Sequence, residues 1–172
     1  MSALVKVPVR FGLMGIGVLI VIFIVYYFSG SNPLLEMSML DLFIIPIFLY
    51  FGIREYRDNY NNGSMEFWQG MTAGLLIYLL IATVFSAFLF LFLKFLDTSL
   101  AQAYIDTKLG ELAASETKIV DEMGRDSYEN LILTTKNTTT EALTLDNFLR
   151  KIAIGFFLTS VISVIMKRKN KN

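Results

Sequence analysis

Two places in this chain put charge beside long apolar runs: Asp41, and the cluster Arg54-Glu55-Tyr56-Arg57-Asp58. A carboxylate held at membrane depth is costly and marks a proton or ion path, whereas near a helix end it is cheap and solvated. With a helix beginning near Met37, Asp41 falls one turn inside it, which favours an interfacial, solvated acid and leaves an intramembrane acid as the alternative. Arg54 and Asp58 lie four residues apart and can pair on one helical face, leaving Arg57 for a lipid phosphate. Arg54, Arg57 and Asp58 therefore read either as a topology anchor or as a headgroup site. The chain has no His and no Cys, which removes the commonest general base, the commonest metal ligand and every thiolate nucleophile. Those absences argue against a conventional hydrolase or redox site. We expect no enzyme, no metal and no cofactor.

The elements that must position these residues are apolar. Of the 172 residues, 55% are hydrophobic and 17% charged, with a mean hydropathy of +0.57. A soluble domain has little use for that much apolar surface. The 15 basic residues balance the 15 acidic ones, so nothing suggests binding to nucleic acid through phosphate neutralisation. Phe11 to Ser29 is uncharged, Leu42 to Ile53 is uncharged but short, and Phe67 to Leu93 is uncharged throughout. Phe11 to Ser29 covers about 28 Å as a helix, matching the hydrocarbon thickness, so it reads as an uncleaved anchor. The Ser29-Gly30-Ser31-Asn32-Pro33 cluster ends it.

The second span needs Met37 to Tyr56 to cross, with Pro46 expected to kink it. The Asn62-Gly63 turn follows, with Ser64 as the expected N-cap of span three and Tyr56, Tyr60 and Trp68 as an aromatic belt. Span three carries a small-residue row, Gly70, Gly74, then Ala82 and Ser86, interrupted by Tyr78. Such a row seats a neighbouring helix, and Gly12, Gly15 and Gly17 of span one are its expected partner. A fourth apolar run, Ile152 to Met166, precedes the basic tail Lys167-Arg168-Lys169-Asn170-Lys171.

The resulting architecture is all-α and polytopic: four transmembrane helices, about 10–29, 37–56, 65–93 and 145–167, with a polar helical insert at 94–144. Within the insert, Asp97-Thr98-Ser99 starts a helix, Gly124 ends one, and Tyr128, Leu131, Ile132 and Thr135 suggest another. Thr138-Thr139-Thr140-Glu141 is a capping-box signature for a last helix running from near Thr139 to about Lys169. Asp146 and Arg150 can pair there, and Arg150 and Lys151 are expected to snorkel to the interface. Lys and Arg flank the first span, the second loop and the tail, which places both termini in the cytoplasm and the insert outside.

Ile53-Arg54-Glu55-Tyr56-Arg57-Asp58, followed by Gly63, Phe67, Gly70 and Gly74 at the opening of span three, resembles a bacterial family known as domain of unknown function 4199. Four membrane helices, a long polar insert before the last and a Lys/Arg end extend the resemblance over most of the chain. It implies a bacterial, inner-membrane, multi-pass protein, and supplies no activity to carry over. Three functions stay open. A structural or accessory envelope protein uses the insert to meet a partner protein or a second copy of itself, in contact with membrane lipids. A small oligomeric transporter or channel has Asp41, Pro46 and Gln69 along its path. A lipid-acting enzyme, least favoured, has Arg54 and Arg57 on phosphate with Asp58 or Glu66 as base.

Overall fold

Residues 3–168 are described by a computed structural model of the chain. The described residues fold as helices joined by short turns. They are α1 (Ala3–Phe28), α2 (Pro33–Glu55), α3 (Phe67–Leu91), α4 (Ser99–Ala114), α5 (Glu116–Met123), α6 (Arg125–Lys136) and α7 (Thr140–Met166). Wide, π-type turns extend α2 through Tyr56–Tyr60 and α3 through Phe92–Leu96. Among the described residues, three helical stretches are long and apolar enough to cross a bilayer: Ala3–Phe28, Phe67–Leu96 and Thr140–Met166.

Each helix end has a local cause. Gly30 at φ 80° turns the chain after α1, and the Asn32 side chain accepts from the Leu34 N–H at 3.0 Å to start α2, with Pro33 in the first turn where its missing N–H costs nothing. Asn62 and Gly63 both take positive φ in the α2–α3 turn. The expected Ser64 cap is displaced: the capping position of α3 is Glu66, whose N–H donates to Gln69 Oε1 at 3.0 Å, while Ser64 Oγ donates back to the Asn61 carbonyl. Asp97 Oδ1 accepts from the Ser99 N–H at 2.9 Å and opens α4. Gly124 at φ 85° separates α5 from α6, and Thr139 Oγ1 accepts from the Ala142 N–H at 3.2 Å to start α7. The end of α7 is Met166, with Lys167 as its C-cap; the expected end near Lys169 lies outside the described residues.

The core is the four-helix assembly of α1, α2, α3 and α7, in which α3 contacts all three others and packs most extensively on α7. Phe23 of α1 meets Phe85, Phe88 and Phe92 edge-on, the arrangement the ring quadrupole favours. The glycines of span one do not pair with the Gly70/Gly74 row. Gly12 lies against Leu80 and Gly15 against Ile81 and Phe48, while nothing approaches Gly17. Tyr56 is likewise not part of a belt: it is buried at 7% exposure with Ile53, Met65 and Ala73, whereas Tyr60 and Trp68 are exposed.

Helices α4 to α6 form a cap over the bundle end where α1 stops and α2 begins. Leu100, Ala101 and Ile105 bury one face of α4. The cap is tied down by Tyr27 donating to Asp97 Oδ2 at 3.0 Å and by Asn32 Nδ2 donating to the Leu100 carbonyl at 3.2 Å. A Lys94–Glu141 ion pair at 3.2 Å joins the end of α3 to the start of α7.

Candidate functional site

The site is built on α7, where Asn147, Lys151, Gly155, Thr159 and Ser163 recur every four residues and are all buried. Residues four apart on a helix stack on one face, so this row forms a single inward stripe. Opposite it runs the α3 row, in reverse order. Gly70 takes Ser163, whose Oγ lies 2.8 Å from where a Cβ would stand; Gly74 takes Thr159; and Gly155 of α7 takes Tyr78. Ala82 and Ser86 continue the α3 row, buried at 0% and 5% exposure. The seam thus interlocks shape at one end and carries charge at the other.

At the charged end Lys151 and Asp41 are both fully buried, and Lys151 Nζ donates to Asp41 Oδ2 at 2.5 Å. Asn147 Oδ1 accepts from the same ammonium at 3.1 Å, and the Phe85 ring lies 4.5 Å from it. Carboxylate, amide oxygen and aromatic face are each good partners for a desolvated cation, and together they offset part of the cost of burying it. Asp41 Oδ1 has no hydrogen-bond partner among the described residues. The expectation of a solvated Asp41 is corrected, and so is that of a snorkelling Lys151. The reason is shared: each side chain points across the bundle to the other instead of toward water. Neither Lys151 nor Asn147 stood out in the sequence as a partner for Asp41, although the four-residue repeat that carries both was present.

The arginine cluster has a different outcome. Arg54 Nε pairs with Asp58 Oδ2 at 3.4 Å and Arg57 Nε with Asp58 Oδ1 at 2.6 Å. The Arg57 contact, more than that of Arg54, holds the Asp58 carboxyl below the usual carboxylate range. The Arg57 Nη1 also reaches the carbonyl of Met166 at 3.5 Å and its sulfur at 3.1 Å, so this guanidinium ties the α2–α3 turn to the end of α7. Its neighbour Glu55 is bridged by Arg10. Every charge here thus has an internal partner, although Arg54 and Arg57 share the one Asp58 carboxylate and the cluster keeps a net positive charge. Beside them Met65 and Arg168 exchange backbone hydrogen bonds at 2.8 and 2.9 Å, fixing the end of the described chain to the α2–α3 turn. Gln69, a candidate path residue, is occupied as the α3 capping acceptor, also taking Asn61 Nδ2 at 3.0 Å.

A cleft of about 560 Å³ separates the cap from the head of α7. Its walls include Ile105, Leu112, Ile119, Leu131 and Leu143, with Lys108, Glu111 and Asp146 among its polar groups. Behind it a cavity of about 10 Å³ is walled by Leu34, Tyr104, Leu143, Asp146, Asn147 and Arg150. Tyr104, Leu143 and Asp146 line both.

Residues 10–168 match a family described as protein of unknown function (DUF4199). The chain belongs to this family. No curated protein and no solved structure matches it. The family match covers Asp41, the arginine cluster, the α3–α7 seam and the cap alike, so these features fall within one family unit.

Proposed function

We propose that the chain is a non-enzymatic accessory protein of the bacterial inner membrane whose cap binds a partner. In this reading α2 is a fourth span. It has 23 residues, about 34 Å as a helix, and an uncharged centre from Leu42 to Ile53. The basic residues Lys6 and Arg10 in the first turns of α1, Arg54 and Arg57, and those of the tail support an orientation with both termini in the cytoplasm and the cap outside. Membrane lipids surround the apolar outer faces, where Phe43, Phe51, Phe157 and Ile165 are exposed.

The observation that carries the reading is the cleft between cap and α7, whose volume lies in the range of ordinary binding pockets and whose walls mix aliphatic and charged groups. Residues 94–151 hold 7 basic and 10 acidic side chains, so a partner segment that is amphipathic and basic is the complementary class. The test is affinity purification of the full chain from gently solubilised membranes, beside Leu131→Asp in the cleft wall and Lys118→Ala away from it. A stoichiometric partner that survives Lys118→Ala and is lost with Leu131→Asp supports the reading. The same co-purifying set from all three overturns it.

A second reading, a small oligomeric transporter, is favoured by the buried Asp41–Lys151 pair alone. Proton or ion flux in proteoliposomes that is abolished by Asp41→Asn, with folded yield unchanged, would replace the first reading.

A further inference from the structure

The Asp41–Lys151 contact looks at first like a structural clasp between α2 and α7. A clasp that served only to hold would satisfy both carboxylate oxygens, because an unpaired buried acceptor costs free energy without return. Asp41 Oδ1 is such an acceptor. The pair is also unequally enclosed. On the side toward the cytoplasmic tail the seam closes at once, with Gly155 pressed under Tyr78 and Gly74 under Thr159. On the cap side stands Asn147, which both accepts from Lys151 and walls the small cavity that adjoins the cleft. That cavity has room for about one water molecule, and its polar walls are Asn147, Asp146, Arg150 and the Tyr104 phenol.

We propose that Asp41 and Lys151 form a proton-binding site with access from the cap side only. A proton delivered from water through the cavity adds to Asp41 Oδ1, turning the carboxylate into a carboxylic acid. Lys151 keeps its three protons and remains on Asn147 Oδ1 and the Phe85 face. The pair changes from neutral to a single positive charge, and the bond between α2 and α7 loses its charge assistance on the carboxylate side. The charged and titratable groups on the cavity side are Asp146 and Arg150 on α7, paired at 3.0 Å, and Tyr104 on α4; α3 presents the Phe85 ring to Lys151. One-sided access makes this a site that reads acidity at the cap face. Because Leu143 and Asp146 of α7 line the cleft, a proton bound here is felt where the partner would sit. The site itself does not depend on that partner.

The experiment is infrared difference spectroscopy of the full chain in nanodiscs of phosphatidylethanolamine and phosphatidylglycerol, stepped from neutral to acid pH. The expected result is a protonated-carboxyl band that grows on acidification, disappears in Asp41→Asn and changes position in Asp41→Glu. The Glu variant keeps the assignment open to test if Asn prevents folding. Asn147→Leu should slow the appearance of the band after a pH jump. No carboxyl band over the range where the protein stays folded, or a band unmoved by either Asp41 variant, would overturn the proposal and leave a permanently charged clasp. A band whose rate Asn147→Leu does not alter would overturn the cap-side route.

Discussion

Helix α7 is held by two different kinds of interaction along one face. Toward Met166 it is held by shape, with Ser163 and Thr159 set into the space left by Gly70 and Gly74. Toward the cap it is held by charge, with Lys151 bound to Asp41, Asn147 and the Phe85 ring. The shape half draws on dispersion between side chains of one helix and the backbone of the other, a distance only glycine allows. The charge half draws on one strong, directional contact whose desolvation cost is large. A shape contact tolerates small changes and fails by steric clash. A charge contact fails all at once when one partner is removed.

The largest effect should therefore come from the charge half. Lys151→Met leaves Asp41 buried and unpaired, and removing one member of a buried pair typically costs about 3–5 kcal/mol. We expect the thermal transition of the detergent-solubilised protein to collapse or folded yield to vanish. The comparison sharpens with the double variant Asp41→Leu/Lys151→Met, which removes both charges and should recover most of the loss, since apolar replacement of a buried pair is often neutral or better. If the single variant is as stable as the parent, the pair is not holding α7, and the contrast between the two halves is broken.

The shape half should respond next. Gly74→Leu drives a side chain into Thr159, and overpacking of this kind costs about 1–3 kcal/mol, with more where neither backbone can yield. Gly17→Leu is the matched control, because nothing lies within 4 Å of a Cβ there. Equal folded yields for the two variants in detergent would show that the Gly74 approach is not needed.

These two halves also differ in how far they were legible. The Gly70, Gly74, Ala82, Ser86 row is a local repeat, and so could be read without knowing what it faced. Its partner could not: span one offered glycines of its own, and only the fold shows those set against Leu80, Ile81 and Phe48 instead. The Asp41–Lys151 pair joins residues 110 positions apart, and no periodicity links them. Lys151 adjoins Arg150, and a basic doublet at the mouth of a span reads naturally as two snorkelling side chains; the helix instead turns one inward. Helix starts at Thr139 and near Asp97 and the break at Gly124 were legible because capping and positive φ are properties of a few adjacent residues. The Ser64 cap failed for the same reason of locality: Ser64 is drawn into the turn by Asn61, and Gln69 reaches back to the Glu66 N–H.

A smaller effect tests whether the shape half depends on its end being fastened. Arg57→Ala removes the contacts to Met166 and frees Asp58 from its nearer cation, at a cost of roughly 1 kcal/mol. Hydrogen exchange should rise at the last turn of α7 and stay level near Lys151. With Arg57 bonded to Asp58 and Met166, we expect retention of anionic lipid in native mass spectrometry not to change; a loss of bound lipid would favour the headgroup reading of this cluster.

The smallest effect lies at the cap, on the charged side of the comparison but in water. Bonds from Ser99, and then from Tyr27, hold the Asp97 carboxyl below its ordinary value. A depressed carboxyl pKa means that the folded state binds the proton less well than the unfolded chain. The stabilisation is thus complete above the unfolded value and is lost as pH falls through the folded one. Acidification should loosen the start of α4 while leaving the Gly70/Gly74 seam unchanged, read as faster hydrogen exchange at Leu100 and Ala101 in buffers below the usual carboxylate range. Asp97→Asn should show the looser behaviour at neutral pH and remove its pH dependence. If α4 loosens on acidification in Asp97→Asn as well, the sensitive group lies elsewhere, and the buried Asp41 becomes the carboxyl to examine.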